Sequence, residues 1–218
     1  MEVNEMQKWN IANKIQETYD FASLIKQLEQ LDRPECIRLE RKKVAINKSP
    51  GVCKVAILDF EGSPIFCCGL LIYKTIYTYY IENYGDKLAF YTFIFRLLQI
   101  AKDLSFFTFS DHERVELLRM YQYLRVQGED VSEFNFLSSL PIINLQKPES
   151  KYESLTEAFY SIHPHSIAMT GDTLFRNNKL IDKLFAAQKF DEIIQHNQNC
   201  LENEYLIFLV RWYKNYKI

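Results

Sequence analysis

Glycine and proline are scarce, with six of each in 218 residues. That excludes collagen-like and proline-rich low-complexity chains. No surplus of positive charge is present either: 26 Lys and Arg face 28 Asp and Glu, for a formal net charge of −2. Proteins that coat nucleic acid without sequence preference are usually basic, because counterion release drives that binding. The balance therefore argues against a coating or histone-like protein, while leaving room for one local groove in an enzyme. The five cysteines, at 36, 53, 67, 68 and 200, form an odd set with no CxxC pair. Spacing rules point to buried free thiols before a zinc module. No run reaches the roughly 18 uncharged apolar residues that a spanning helix needs, since Lys74 and Arg96 interrupt the most apolar stretches. The opening MEVNEMQKWN is polar and acidic, unlike a signal peptide. No repeat recurs at a period of roughly 20 to 50 residues. The expectation is a soluble intracellular protein, cytoplasmic or nuclear, in a reducing compartment and without a membrane partner.

What is abundant is apolar and aromatic material. Hydrophobic residues make up 48% of the chain and aromatics 15%, including 16 Phe and 14 Tyr. A chain of this size can bury a core without disulfides. At roughly 150 residues per domain, the length allows one domain and an extension. The change in character near residue 50 divides the chain into an N-terminal helical extension, 1–50, and a main domain, 51–218.

Within the extension, Trp9, Ile11, Ile15, Tyr19, Phe21, Leu24, Ile25 and Leu28 recur at roughly helical spacing and predict a helix over 4–32. Its apolar stripe could pack on the domain itself or on a protein partner. Asp32-Arg33-Pro34 ends the pattern, because proline disfavours helix in the residue before it. Residues 37–46 read as a strand or a connector, and NKSPG at 47–51 as a turn. KVAILDF at 54–60, then 66–73 and 76–81, predict three consecutive antiparallel strands. A helix over 86–102, a strand over 104–109 and an amphipathic helix over 111–126 follow. Residues 127–140 read as an acidic loop and PIINL at 141–145 as a fifth strand. Helices are predicted over 152–162, 172–187 and 190–213, with 163–171 a loop. The order implies an α/β fold: a mixed five-stranded sheet, antiparallel meander first and parallel strands after, with helices on both faces.

Three places could carry chemistry. Asp59-Phe60-Glu61-Gly62 ends a buried strand. Residues i and i+2 of a strand share a face, so Asp59 and Glu61 project together and Phe60 turns into the opposite layer. Paired carboxylates repel unless protonated or bridged by a cation, and a hard divalent ion is the natural bridge. The plain alternative is a strand end reaching solvent. Phe109-Ser110-Asp111-His112-Glu113 opens a helix. Ser110 and Glu113 suit a capping box, or Asp111 or Glu113 supplies a carboxylate opposite Asp59. His196-Asn197-Gln198-Asn199-Cys200, followed by Glu202 and Glu204, lies in the last helix, where His196 and Cys200 share a face at i, i+4. A lone helical histidine is commonly a satisfied buried side chain.

Taken in order over residues 53–213, these positions resemble the ribonuclease-H-like, DEDD-type 3′–5′ exonuclease superfamily. AILDFEG matches its first Asp-x-Glu strand, giving Asp59 and Glu61. FSDHERVELL matches its second acid, with Glu113 the better-aligned residue and Asp111 the neighbour. IIQHNQNCLENE supplies the His-Asn pair, but Cys200 stands where an Asp is expected, and Asn144 in INLQ stands for another acid. The resemblance implies a ribonuclease-H-like fold and two-metal hydrolysis of phosphodiester bonds in DNA or RNA, with Mg²⁺ or Mn²⁺ ions about 4 Å apart. It assigns Asp59, Glu61 and Glu113 or Asp111 to the metals and His196 to the attacking water, with Glu204, one helical turn beyond Cys200, as a further candidate ligand. The substitution at 200 leaves open a catalytically degenerate module that binds nucleic acid or a protein. Arg38, Arg41, Lys42 and Lys43, and Arg176, Lys179 and Lys183, form two basic groups that suit phosphate contacts with a single strand, or simply solvated faces.

Overall fold

The computed structural model describes residues 19–44, 54–147, 153–162, 174 and 178–213. The predicted helix before residue 19, the turn at 47–51, the loop at 163–171 and Arg176 lie outside the described residues.

Helix α1 (Phe21–Gln30) starts where the Asp20 carboxylate accepts the Ser23 N–H at 3.1 Å, a side-chain cap for a backbone donor the helix leaves open. Its Phe21, Leu24 and Leu28 are buried at helical spacing, so the described part of the N-terminal apolar stripe packs on the domain itself. Strand β1 (Ile37–Lys43) follows, then β2 (Val55–Glu61), β3 (Cys67–Ile72) and β4 (Thr75–Ile81). Helix α2 (Lys87–Ile100), strand β5 (Ser105–Thr108), helix α3 (His112–Val126) and strand β6 (Ile142–Asn144) come next. The chain then forms α4 (Leu155–Ile162), α5 (Ile181–Ala186) and α6 (Phe190–Phe208), which runs on into a π-helical turn, Leu209–Tyr213.

The sheet is mixed and has six strands in the order β1-β4-β3-β2-β5-β6. β2, β3 and β4 form the antiparallel meander, and β5 and β6 continue it in parallel. Five strands were expected. The sixth is β1, which pairs antiparallel with β4 from Ile37↔Ile81 to Lys43↔Thr75, so the end of the N-terminal extension is part of the sheet. Its charges left it open: IRLERKK reads as a strand or a connector, and Lys and Arg are what an unpaired sheet edge favours. The 127–140 loop also contains a 3₁₀ helix, Ser132–Ser138, anchored by buried Phe134, which stacks on Phe95 with centroids 5.0 Å apart.

β2 is buried along its whole length, as a central strand covered on both faces must be. Alternation sends its side chains into two different cores. Ala56, Leu58 and Phe60 meet the layer of α1, α2 and α3, whereas Val55 and Ile57 meet the layer of α4 and α6. Helices thus cover both faces. Asp59 and Glu61 belong to the second set, and so they face α6.

Candidate metal centre

β2 and β5 run in parallel, so the carboxyl ends of both lie at one end of the sheet. Ligands of open α/β sheets characteristically bind in the crevice outside such strand ends. The end of β2 supplies Asp59 and Glu61. The chain leaving β5 turns into α3, whose first turn carries Glu113. α6 crosses β2, β3 and β4 on the face that Asp59 occupies and presents His196, Asn197, Cys200 and Glu204. His196, Cys200 and Glu204 are spaced by four and share one side of the helix.

The close approach of α6 depends on Gly69, the residue paired with Asp59 across the β2–β3 ladder. A Cβ at position 69 would lie 2.1 Å from Asn197 Oδ1 and 2.6 Å from Leu201 Cδ1. Glycine inside a strand marks close approach by another element, and here the element is the site helix. The Asn197 amide uses the space. Its Nδ2 donates to Asp59 Oδ2 at 2.9 Å, while its Oδ1 accepts from Thr78 Oγ1 at 3.4 Å. Thr78 thus fixes the amide, and the amide fixes the carboxylate.

Asp59, Glu61, Glu113, Glu204 and His196 are all buried. Burial disfavours a charged carboxylate, and neighbouring negative charge adds to the effect. The Asp59 carboxyl is pushed up to about 6 by burial, held back by the His196 imidazole and by hydrogen bonds with Glu61 and Asn197. Glu113 is pushed well above the usual carboxylate range by burial and then by the charge on Asp59. Glu204 is raised by burial, then by Asp59, Glu113 and Glu61. The acids therefore sense one another as one cluster. Glu113 Oε2 and Glu204 Oε2 are buried and have no hydrogen-bond partner among the described residues. A buried carboxylate oxygen without a partner is costly. A hard divalent cation would satisfy it, and the oxygen donors of Asp59, Glu61, Glu113 and Glu204 suit such an ion. Cys200 does not, because sulfur is a poor ligand for Mg²⁺. Its Sγ lies 3.7 Å from His196 Nε2, which is itself 3.7 Å from Glu61 Oε1.

The structure brings together five of the residues singled out from sequence: Asp59, Glu61, Glu113, His196 and Glu204. Asp111 remains exposed at the head of α3 and makes no side-chain cap; it touches the cluster only as a charge that raises Glu113. The capping box does not form. Ser110 Oγ accepts the His112 N–H at 3.1 Å, and Glu113 turns into the acid cluster instead. Asn144 serves its own turn, accepting the Gln146 N–H at 2.8 Å. The roles of Gly69 and Thr78 escaped the sequence reading, although a glycine inside an apolar strand was the available signal.

The first basic group is divided. Arg38 pairs with Glu82 at 3.3 Å, Arg41 with Glu29 at 3.3 Å and Lys42 with Glu202 at 2.7 Å. Lys179 and Lys183 are exposed on and just before α5. That helix is tied to the turn after Glu61 by the Asp182 carboxylate, which accepts the Ser63 N–H at 3.1 Å. No helix among the described residues is long and apolar enough to cross a membrane. Comparison of the chain with protein-family models, with curated proteins and with solved structures finds no match.

Proposed function

We propose that the chain is a metal-dependent nuclease of the ribonuclease-H-like type, hydrolysing phosphodiester bonds in single-stranded DNA or RNA and similar to DEDD-type 3′–5′ exonucleases. The observation that carries this reading is the convergence of four buried carboxylates, two of them with unpartnered oxygens, at the carboxyl ends of β2 and β5. The antiparallel meander followed by parallel strands supports the fold assignment. Asp59, Glu61, Glu113 and Glu204 would hold Mg²⁺ or Mn²⁺. The chemistry such ions supply is activation of water and neutralisation of charge at the leaving oxygen. Within the protein, Asn197 and Thr78 orient Asp59, His196 is placed to orient a water beside Glu61, and Lys179 and Lys183 offer phosphate contacts near the turn that follows Glu61.

A second reading is favoured by one observation, the sulfur of Cys200 where the resemblance expects a carboxylate. On that reading the fold is retained and binds nucleic acid or a protein without cleaving. End-labelled single strands of DNA and RNA, incubated with Mn²⁺ and either the protein or Asp59→Ala, separate the two. Release of label that needs both the ion and Asp59 supports the nuclease. No release from a folded protein, with strand binding that survives Asp59→Ala, supports the binding module.

A further inference from the structure

Glu61, His196 and Cys200 each point one ligand atom into the same place, and the three atoms lie within 4.8 Å of one another. Two separations can be compared with metal geometry: His196 Nε2 to Glu61 Oε1 is 3.7 Å, and Cys200 Sγ to His196 Nε2 is 3.7 Å. A tetrahedral zinc site with ordinary bond lengths sets nitrogen and oxygen about 3.4 Å apart, and nitrogen and sulfur about 3.6 Å apart. Both separations thus stand within a few tenths of an ångström of zinc-like values, and the third, between Cys200 and Glu61, is no longer than 4.8 Å. The elements presenting them are rigid: Glu61 ends a fully buried strand, while His196 and Cys200 sit at i, i+4 on a helix packed across it. Two ligands at that spacing on one helix face can share one ion, as in helical zinc motifs.

We propose that Glu61, His196 and Cys200 bind a single thiophilic divalent cation of the Zn²⁺ class. The donors decide the class. A thiolate, an imidazole and a carboxylate favour zinc or cobalt and disfavour Mg²⁺, which demands oxygen. Three protein ligands leave a fourth position open, the pattern of zinc sites that bind water or substrate rather than of closed structural sites. Cys200 is then a replacement that changes the ion rather than a lost ligand. The inference goes beyond the nuclease reading, for it holds whether or not the chain cleaves a strand.

Cobalt reports the site without any substrate. The purified full chain is stripped with chelator and titrated with Co²⁺ while the near-ultraviolet thiolate-to-cobalt band is recorded; Zn²⁺ and then excess Mg²⁺ are added as competitors. The expected result is a band that saturates at one Co²⁺ per chain, is removed by Zn²⁺, and resists Mg²⁺. Cys200→Ser should abolish it and Cys67→Ser should keep it. Cys200→Asp guards against a misfolded serine variant. It should lose the band, bind Zn²⁺ at least about tenfold more weakly and retain Mn²⁺ binding, since even an outer partner of a metal ligand is worth about 10–100-fold in affinity. Absence of the band in folded protein, a band that survives Cys200→Ser, or displacement by Mg²⁺ would each overturn the proposal. A cobalt band without strand cleavage counts against the nuclease reading alone, and Mg²⁺-driven cleavage without the band counts against this one alone.

Discussion

Asp59 carries a direct conflict between burial and charge. It is buried beside three other acids, and its carboxyl is pushed up to about 6, first by burial. Ionising it at neutral pH therefore works against folding by roughly 2–3 kcal/mol, at about 1.4 kcal/mol per pKa unit. Asp59→Asn keeps the size and one oxygen but removes the charge. The metal-free variant should unfold several degrees higher than the parent at pH 7.5, on about 2–4 °C per kcal/mol, while Mn²⁺-dependent cleavage falls at least about a hundredfold, beyond the loss that an outer-shell partner costs. Calorimetry and the strand assay read the two effects separately. Gly69 carries the opposite kind of constraint, one of space. Gly69→Ala must push Asn197 and Leu201 away from β3, and overpacking of this kind costs about 1–3 kcal/mol. A lower melting temperature and a weakened cation response should appear together in that variant. The acids of the site were legible as residues because Asp-x-Glu on a strand has one geometric meaning. Gly69 and Thr78 were not, because their importance comes from a helix more than a hundred residues away.

α6 is the element that joins the core to the site. Its last residue packs in the core, where Phe107 meets Phe208 with centroids 4.7 Å apart and, in the turn beyond, Trp212 at 5.2 Å, while the stretch before it carries His196, Asn197, Cys200 and Glu204. Just beyond it, in the π-helical turn, Arg211 clamps the far end. It donates to Glu153 Oε1 at 2.7 Å, to Glu153 Oε2 at 2.8 Å and to the Leu145 carbonyl at 2.8 Å. The pair is largely buried and bidentate, the strong geometry for Arg and carboxylate. Arg211→Ala leaves the Glu153 charge without its partner and should cost about 3–5 kcal/mol, measured as a shift of the denaturation midpoint. A double change to Arg211→Met and Glu153→Leu should recover most of the loss, because it removes both charges. The elements of the main domain were largely readable from periodicity: the meander strands, α2, β5, α3 and β6 all fall within a few residues of expectation. β1 stayed open between strand and connector because the pairing partner, β4, decides that a charged heptapeptide is a strand. The 3₁₀ helix near Phe134 escaped because its one buried ring anchors to α2, which local composition does not reveal.

At the scale of the whole molecule, Glu153 and the three acids of the cluster make opposite demands on pH. Burial opposes ionisation of Glu153, but Arg211 outweighs it and holds the carboxyl below its ordinary value; its contribution is present above the ordinary carboxylate range and is lost as pH falls. Asp59, Glu113 and Glu204 are held above that range. The native state then binds more protons than the unfolded chain, so stability falls as pH rises from near 4 through about 6 and beyond. The metal-free protein should be most stable in mild acid. On the proposed function, a bound divalent cation should reverse the second trend, because it would stabilise the ionised cluster of the folded state.

Thermal unfolding of the chelated protein between pH 4.5 and 8, repeated with saturating Mn²⁺ or Zn²⁺, therefore tests most directly whether the buried acids form a cation site. The expected result is a melting temperature that declines with pH without metal and is restored by either cation above pH 6, with the Mn²⁺ restoration absent in Asp59→Asn combined with Glu204→Gln. A metal-free profile that rises or stays level over that range, together with no response to either cation, would contradict it.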